Sequence, residues 1–221
     1  MMEKKKTKLY EADASTTNKV EEPVVAYGTY NIDASKRYTY ADYLTWFDDI
    51  RRELINGFVY LMSGPLRQHA TVSRELTIRM CGFIEKKKEK CQLFFAPFDV
   101  RLPMDGSKDD DKIYNVFQPD IIVVCDLSKL DDKGCVGAPD LVVEIVSPST
   151  AKKDWHLKFG MYEKAGVREY WIVDPKAKTV YVFLLQPDGE FDDGNLYEVG
   201  QKAPVHILEG LEIDLKELFE E

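Results

Sequence analysis

The stretch GAPDLVVEIVSPSTAKKDWHLKFGMYEKAGVREYWIVDP, residues 137–175, decides how this chain folds. PDLVVEIVS is a short, near-continuous apolar run, and QPDIIVVCD, residues 118–126, is another. Runs of this kind read as strands buried on both faces, in the centre of a sheet. Pro148-Ser149-Thr150 leads into a predicted helix over residues 151–166. REYWIVDP and TVYVFLLQ then predict a strand pair joined by a turn at Asp174-Pro175-Lys176.

Working outward, RRELINGFVYLMSG reads as a β-hairpin turning at Asn56-Gly57. Thr39 is a candidate cap for a helix from Tyr40 to Ile50. A long helix is predicted from Arg67 to Lys90, with Val72, Leu76, Met80, Phe83 and Ile84 as its apolar face. LFFAPFDVRL reads as one strand, MDGSKDDDKIYNVF as a loop insertion, and the tail as a last short strand and helix. Residues 1–36 are polar and weakly periodic, which predicts a flexible arm ahead of a single domain, 37–221. The fold class is α/β or α+β, a mixed central sheet with helices on both sides.

Composition narrows the function. No stretch reaches the ~18 uninterrupted apolar residues of a membrane helix. The basic residues near the start precede no apolar run, so no secretory signal is expected. Cys81, Cys91, Cys125 and Cys135 lack zinc-site spacing, and Cys81 and Cys125 read as buried thiols in a reducing cytoplasm. The net charge of -9 argues against a nucleic-acid partner until it is mapped. Residues 186–221 hold 11 acidic and two basic residues, and so carry the whole deficit. Residues 140–185 are slightly positive.

The informative residues are charges inside apolar patterns. Alternation puts Asp140, Val142, Glu144 and Val146 on one strand face. A mid-strand carboxylate is costly to bury unless paired, protonated or metal-bound, so Glu144 is either an ion-pair member or a ligand. On a 100° helical wheel, Asp154 and Lys158 fall within the apolar arc of the next helix. They are either a salt bridge at a domain edge or a lysine aimed at a cleft with Asp154 orienting it. Asp120 opens its strand after Pro119, either as a turn residue or as a second carboxylate of that cleft. Two carboxylates on neighbouring strands suit a hard divalent cation, and a nearby lysine suits phosphodiester hydrolysis.

With these residues in place, the chain resembles the Uma-type family of restriction endonucleases, in the PD-(D/E)XK superfamily. ELINGFVYLMSGPLRQH, QPDIIVV and the stretch quoted first carry the resemblance, which covers most of residues 50–185. It implies a restriction endonuclease-like fold and metal-dependent hydrolysis of DNA with Mg²⁺ or Mn²⁺, and it leaves a homodimer open. Asp120 and Glu144 match the metal-binding acidic residues, and Glu53 the early acidic residue that often joins them. The lysine expected two residues after Glu144 is replaced by Val146, and Lys158 resembles its substitute. His69, Asp154, Ser147 and Gln118 are possible accessories, with a core or capping role open for His69. Asp140 also follows a proline, but lies four strand residues from Glu144, about 13 Å, too far to share one ion. The missing lysine and the acidic tail favour the alternative, a catalytically inactive interaction or nucleic-acid-binding module.

Overall fold

The computed structural model describes residues 32–146 and 154–220, with the side chains of 154 and 155 left aside. Of the expected arm, residues 1–31 lie outside this range. The chain then turns at Asp33–Lys36 and enters α1, Tyr40–Tyr43. Thr39 caps α1 in a reciprocal box with Asp42, as expected, but the helix stops after one turn instead of running to Ile50. The hairpin forms as read: β1, Arg52–Ile55, pairs with β2, Phe58–Leu61. Asn56 and Gly57 take φ of 53° and 84°, the paired left-handed values of a tight hairpin turn. A Cβ on Gly57 would also lie 2.9 Å from the Arg37 Cβ, so this turn needs glycine twice over.

Helix α2, Arg67–Lys87, buries Val72, Leu76 and Met80, with Phe83 and Ile84 packed against the same core. It ends where Lys88 enters the left-handed region at φ 54°, short of Lys90. The strand expected over LFFAPFDVRL is two strands, β3, Gln92–Phe95, and β4, Val100–Arg101, which belong to different sheets. Pro97 lies between them and has no N–H to donate to a ladder. The expected loop after Met104 ends in a real strand, β5, Val116–Phe117. Then come β6, Ile121–Val124, β7, Leu130–Asp131, β8, Gly134–Val136, and β9, Leu141–Ile145. Past the gap, residues Asp154–Lys158 form a π-helical turn that runs into α3, Phe159–Ala165. The chain finishes with β10, Glu169–Asp174, β11, Thr179–Leu184, β12, Asn195–Glu198, β13, Lys202–Val205, β14, Leu211–Asp214, and α4, Leu215–Phe219.

The mixed central sheet has the order β12-β11-β10-β9-β6-β3, with β9 parallel to β10 and antiparallel to β6. Both predicted central strands, β6 and β9, are buried at every position. A second six-stranded sheet, β2-β1-β5-β4-β8-β7, was not foreseen beyond its β1–β2 hairpin, because all its strands are only two to four residues long. Alternation sorts the central sheet's side chains into two cores. Ile121, Val123, Leu141, Val143 and Ile145 meet α2, the β13–β14 ribbon and α4. Ile122, Val124, Val142 and Val146 meet Tyr162 and Tyr170, together with Ile55, Val100 and Phe117 of the second sheet. Each large aliphatic side chain removed from water in this way contributes on the order of 1.5–3 kcal/mol. The fold is therefore mixed α+β, with a central sheet flanked on both faces as expected and a second sheet docked on one of them.

Cys125 is not a thiol. It lies directly across the antiparallel β3–β6 ladder from Cys91, one step beyond the Gln92–Val124 pair, and the two form a disulfide. Cys81 and Cys135 are free.

Candidate active site

Two buried glutamates and a buried lysine meet beside the second core. Glu144 shares its strand face with Val142 and Val146 and is 4% exposed. Glu53 shares the face of Ile55 on β1, points from the second sheet towards the first core strand, and is fully buried. Lys158 Nζ lies between them, 2.8 Å from Glu53 Oε1 and 2.8 Å from Glu144 Oε1. The inward direction expected of Lys158 holds, although its turn is π-helical and not the ideal α-helix of the wheel. The Phe117 ring, 6.0 Å from Lys158 Nζ, walls the cluster.

Two further donors fix the glutamates. The Gln118 backbone N–H donates to Glu53 Oε1 at 3.1 Å. The Tyr162 hydroxyl donates to Glu144 Oε1 at 2.7 Å, onto the same oxygen that takes Lys158. Burial, with the charges of Glu144 and Glu53 behind it, raises the Tyr162 hydroxyl well above the ordinary tyrosine range, so it stays a donor. Tyr162 was missed in the sequence. It sits in the apolar arc, where a tyrosine looks like core, and its four-residue offset from Lys158 was the available signal.

Asp120 stands opposite Glu144, since the β6–β9 register pairs Ile121 with Val143 and runs antiparallel. Its Oδ2 accepts the Ile145 N–H at 2.7 Å and lies 3.1 Å from His69 Nε2. His69 thus reaches the site from the first turn of α2 and is no mere cap, and its Nδ1 is buried without a hydrogen-bond partner. Asp140 is occupied elsewhere, accepting from the Cys125 N–H at 2.7 Å and Arg168 Nη1 at 2.9 Å. Ser147 and the Asp154 side chain lie outside the described residues.

Gln118 joins the cluster to a second polar network. Its Nε2 donates to Asp99 Oδ1 at 2.9 Å and to the Tyr43 hydroxyl at 3.1 Å, and its Oε1 accepts from Arg51 Nε at 3.0 Å. Asp99 also accepts from the Tyr40 hydroxyl at 3.1 Å. Burial is the main cause that raises the Asp99 carboxyl above the usual range, partly opposed by these hydrogen bonds.

Among the described residues, no three His, Cys, Asp or Glu side chains form a ready-made metal cage. The donor chemistry nonetheless fits a hard divalent ion. Glu53 and Glu144 lie against the ammonium of Lys158, and Asp120 adds a third carboxylate on the neighbouring strand, opposite Glu144. Ions of the Mg²⁺ type bind through one or two carboxylates and keep several waters. The facing pair Asp120 and Glu144 offers that number.

Comparison with known proteins gives a family and a shared fold. The model of the Uma2 family, described as "Putative restriction endonuclease", matches residues 40–216. The uncharacterized protein slr1290 of Synechocystis sp. (strain ATCC 27184 / PCC 6803 / Kazusa) is 25% identical over 153 residues, which span 68% of this chain and 75% of that protein. A solved chain from Anabaena variabilis ATCC 29413, described as a "putative nuclease belonging to DUF820", superposes with a TM-score of 0.65. It is 20% identical, over 82% of this chain and 97% of that one, and shows a shared fold.

Proposed function

The chain belongs to the Uma2 family, and on that premise we propose that it is a divalent-metal-dependent endonuclease hydrolysing DNA phosphodiester bonds. The observation that carries the reading is the buried Glu53–Lys158–Glu144 cluster with Asp120 facing Glu144 across the ladder. Asp120 and Glu144 would hold Mg²⁺ or Mn²⁺. When bound, the ion supplies Lewis-acid polarisation of a phosphoryl oxygen and acidifies a water.

The chain's own residues do the rest. Lys158 places a positive charge beside the phosphoryl group, stabilising the negative charge that builds as the water oxygen bonds to phosphorus and the leaving oxygen departs. Glu53 acts on Lys158, holding its ammonium in place, and Tyr162 fixes the rotamer of Glu144. His69 and the Ile145 N–H orient Asp120. Gln118 anchors Glu53. We place the protein in the cytoplasm, as a homodimer that presents one site to each DNA strand.

One observation favours a second reading, a non-catalytic nucleic-acid-binding module. Lys158 is engaged by two glutamates, and Val146 stands where the PD-(D/E)XK superfamily pattern has lysine. The test uses purified protein with Mg²⁺ or Mn²⁺ on supercoiled plasmid, beside Glu144→Gln and Lys158→Met, with an RNA arm. Cutting by the parent and by neither variant supports the enzyme. Folded parent protein that cuts neither DNA nor RNA with either ion overturns it in favour of the module.

A further inference from the structure

Arg51 immediately precedes β1 yet remains in the hairpin ladder, its carbonyl accepting the Met62 N–H at 2.9 Å. Strand alternation therefore puts its side chain on the face of Glu53, about 7 Å along the strand. Arg52, between them, points the other way, where Asp48 neutralises it at 2.9 Å and Trp46 stacks on its guanidinium. Arg51 has no such partner. It is half-buried and makes no ion pair among the described residues. Its Nε is held by Gln118 Oε1, and its Nη2 is enclosed without an acceptor. It lines a cavity of about 270 Å³ together with Trp46, Asp49 and Gln118. Asp48 on the same cavity is already paired with Arg52 and Asp49 is exposed, so this partly desolvated guanidinium lacks a direct ion-pair partner that an anion could supply.

We propose that Arg51 is a phosphate-binding residue, taking the backbone phosphate next to the one that is cut. The proposal rests on the nuclease reading and extends it, because Gln118 ties Arg51 and Glu53 to a single side chain and backbone unit. A permanently charged guanidinium suits a phosphodiester oxygen, and such a contact reads no base. Asp49, exposed on the same cavity, opposes the anion and sets the strength of the site.

The test is fluorescence anisotropy with a labelled DNA duplex and Ca²⁺, over a series of salt concentrations, comparing the parent, Arg51→Ala, Arg51→Lys and Asp49→Asn. Arg51→Ala should weaken binding about tenfold for every sequence and reduce the slope of log affinity against log salt by about 0.9. Arg51→Lys should restore most of that slope, and Asp49→Asn should tighten binding about two- to threefold. A merely structural Arg51 would lower the melting temperature and leave the slope unchanged, which overturns the proposal. If Arg51→Ala does not fold, Asp49→Asn decides the matter: binding that does not tighten in this variant counts against the proposal. Parent protein that binds neither DNA nor RNA would instead overturn the nuclease reading, and this proposal with it.

Discussion

Replacing Lys158 with methionine keeps the length of the side chain and removes its charge. Lys158 Nζ touches Glu53 Oε1 and Glu144 Oε1 at 2.8 Å each, so those oxygens are no more than about 5.6 Å apart. Without the ammonium, two buried carboxylates face each other. At an effective dielectric of about 20, their repulsion at that distance is about 3 kcal/mol. Breaking a buried ion pair from one side costs a similar ~3–5 kcal/mol. The variant should therefore lose about 3 kcal/mol of unfolding free energy near neutral pH, measured by urea denaturation.

The loss should also depend on pH. One glutamate will hold a proton more readily in the folded variant than in the unfolded chain, so its folded pKa lies above its unfolded value. The native state then binds more protons than the unfolded state over that interval, and stability falls as pH rises through it. The deficit against the parent should accordingly shrink as pH is lowered from about 8 to about 5. Adding Glu53→Gln to Lys158→Met should recover most of the lost stability, as a double-mutant cycle will show. A deficit under about 1 kcal/mol at every pH, or one that the second substitution deepens, would refute the placement of Lys158 as the bridge between two ionised glutamates.

Tyr162→Phe removes one hydroxyl and keeps the ring against Phe117. With a hydrogen bond to a carboxylate contributing about 1.5–3 kcal/mol, we expect a stability loss near 2 kcal/mol by urea unfolding. Under the nuclease reading, plasmid cutting should also fall at least about tenfold, in kcat more than in KM. Asp99 has a folded pKa raised by burial, so its destabilising contribution is absent below its unfolded pKa and fully present above its folded one. Asp99→Asn should remove that component, and the fall in stability with rising pH through this interval should be shallower in the variant. An identical slope in both proteins would count against a raised Asp99.

Local chemistry was legible where one or two residues impose a conformation. Asn56-Gly57 could only be a tight turn, and the runs IIVV and LVVEI could only be buried strands. Lys158 and Glu144 stood out because charge is costly in such surroundings. What escaped depended on long-range register. The second sheet is built from pieces such as Val100–Arg101 and Val116–Phe117, too short to show a period. The Cys91–Cys125 bridge follows from the β3–β6 pairing, which no spacing announces. Tyr162 escaped, and His69 was left between accessory and core or cap, because their partners, Glu144 and Asp120, lie 18 and 51 residues away in sequence. The acidic tail also divides in a way that counting could not show: β13, β14 and α4 pack on the α2 side of the central sheet, away from the Glu144 face.

Glu53 comes from one sheet, Asp120 and Glu144 from the other, and Lys158 from the turn before α3. The central sheet alone supplies the facing carboxylates, but the lysine bridge also needs Glu53 from the second sheet. The Lys158 bridge is thus a latch between the two sheets: whatever loosens their contact parts Glu53 from Lys158 and Glu144 without disturbing any single strand.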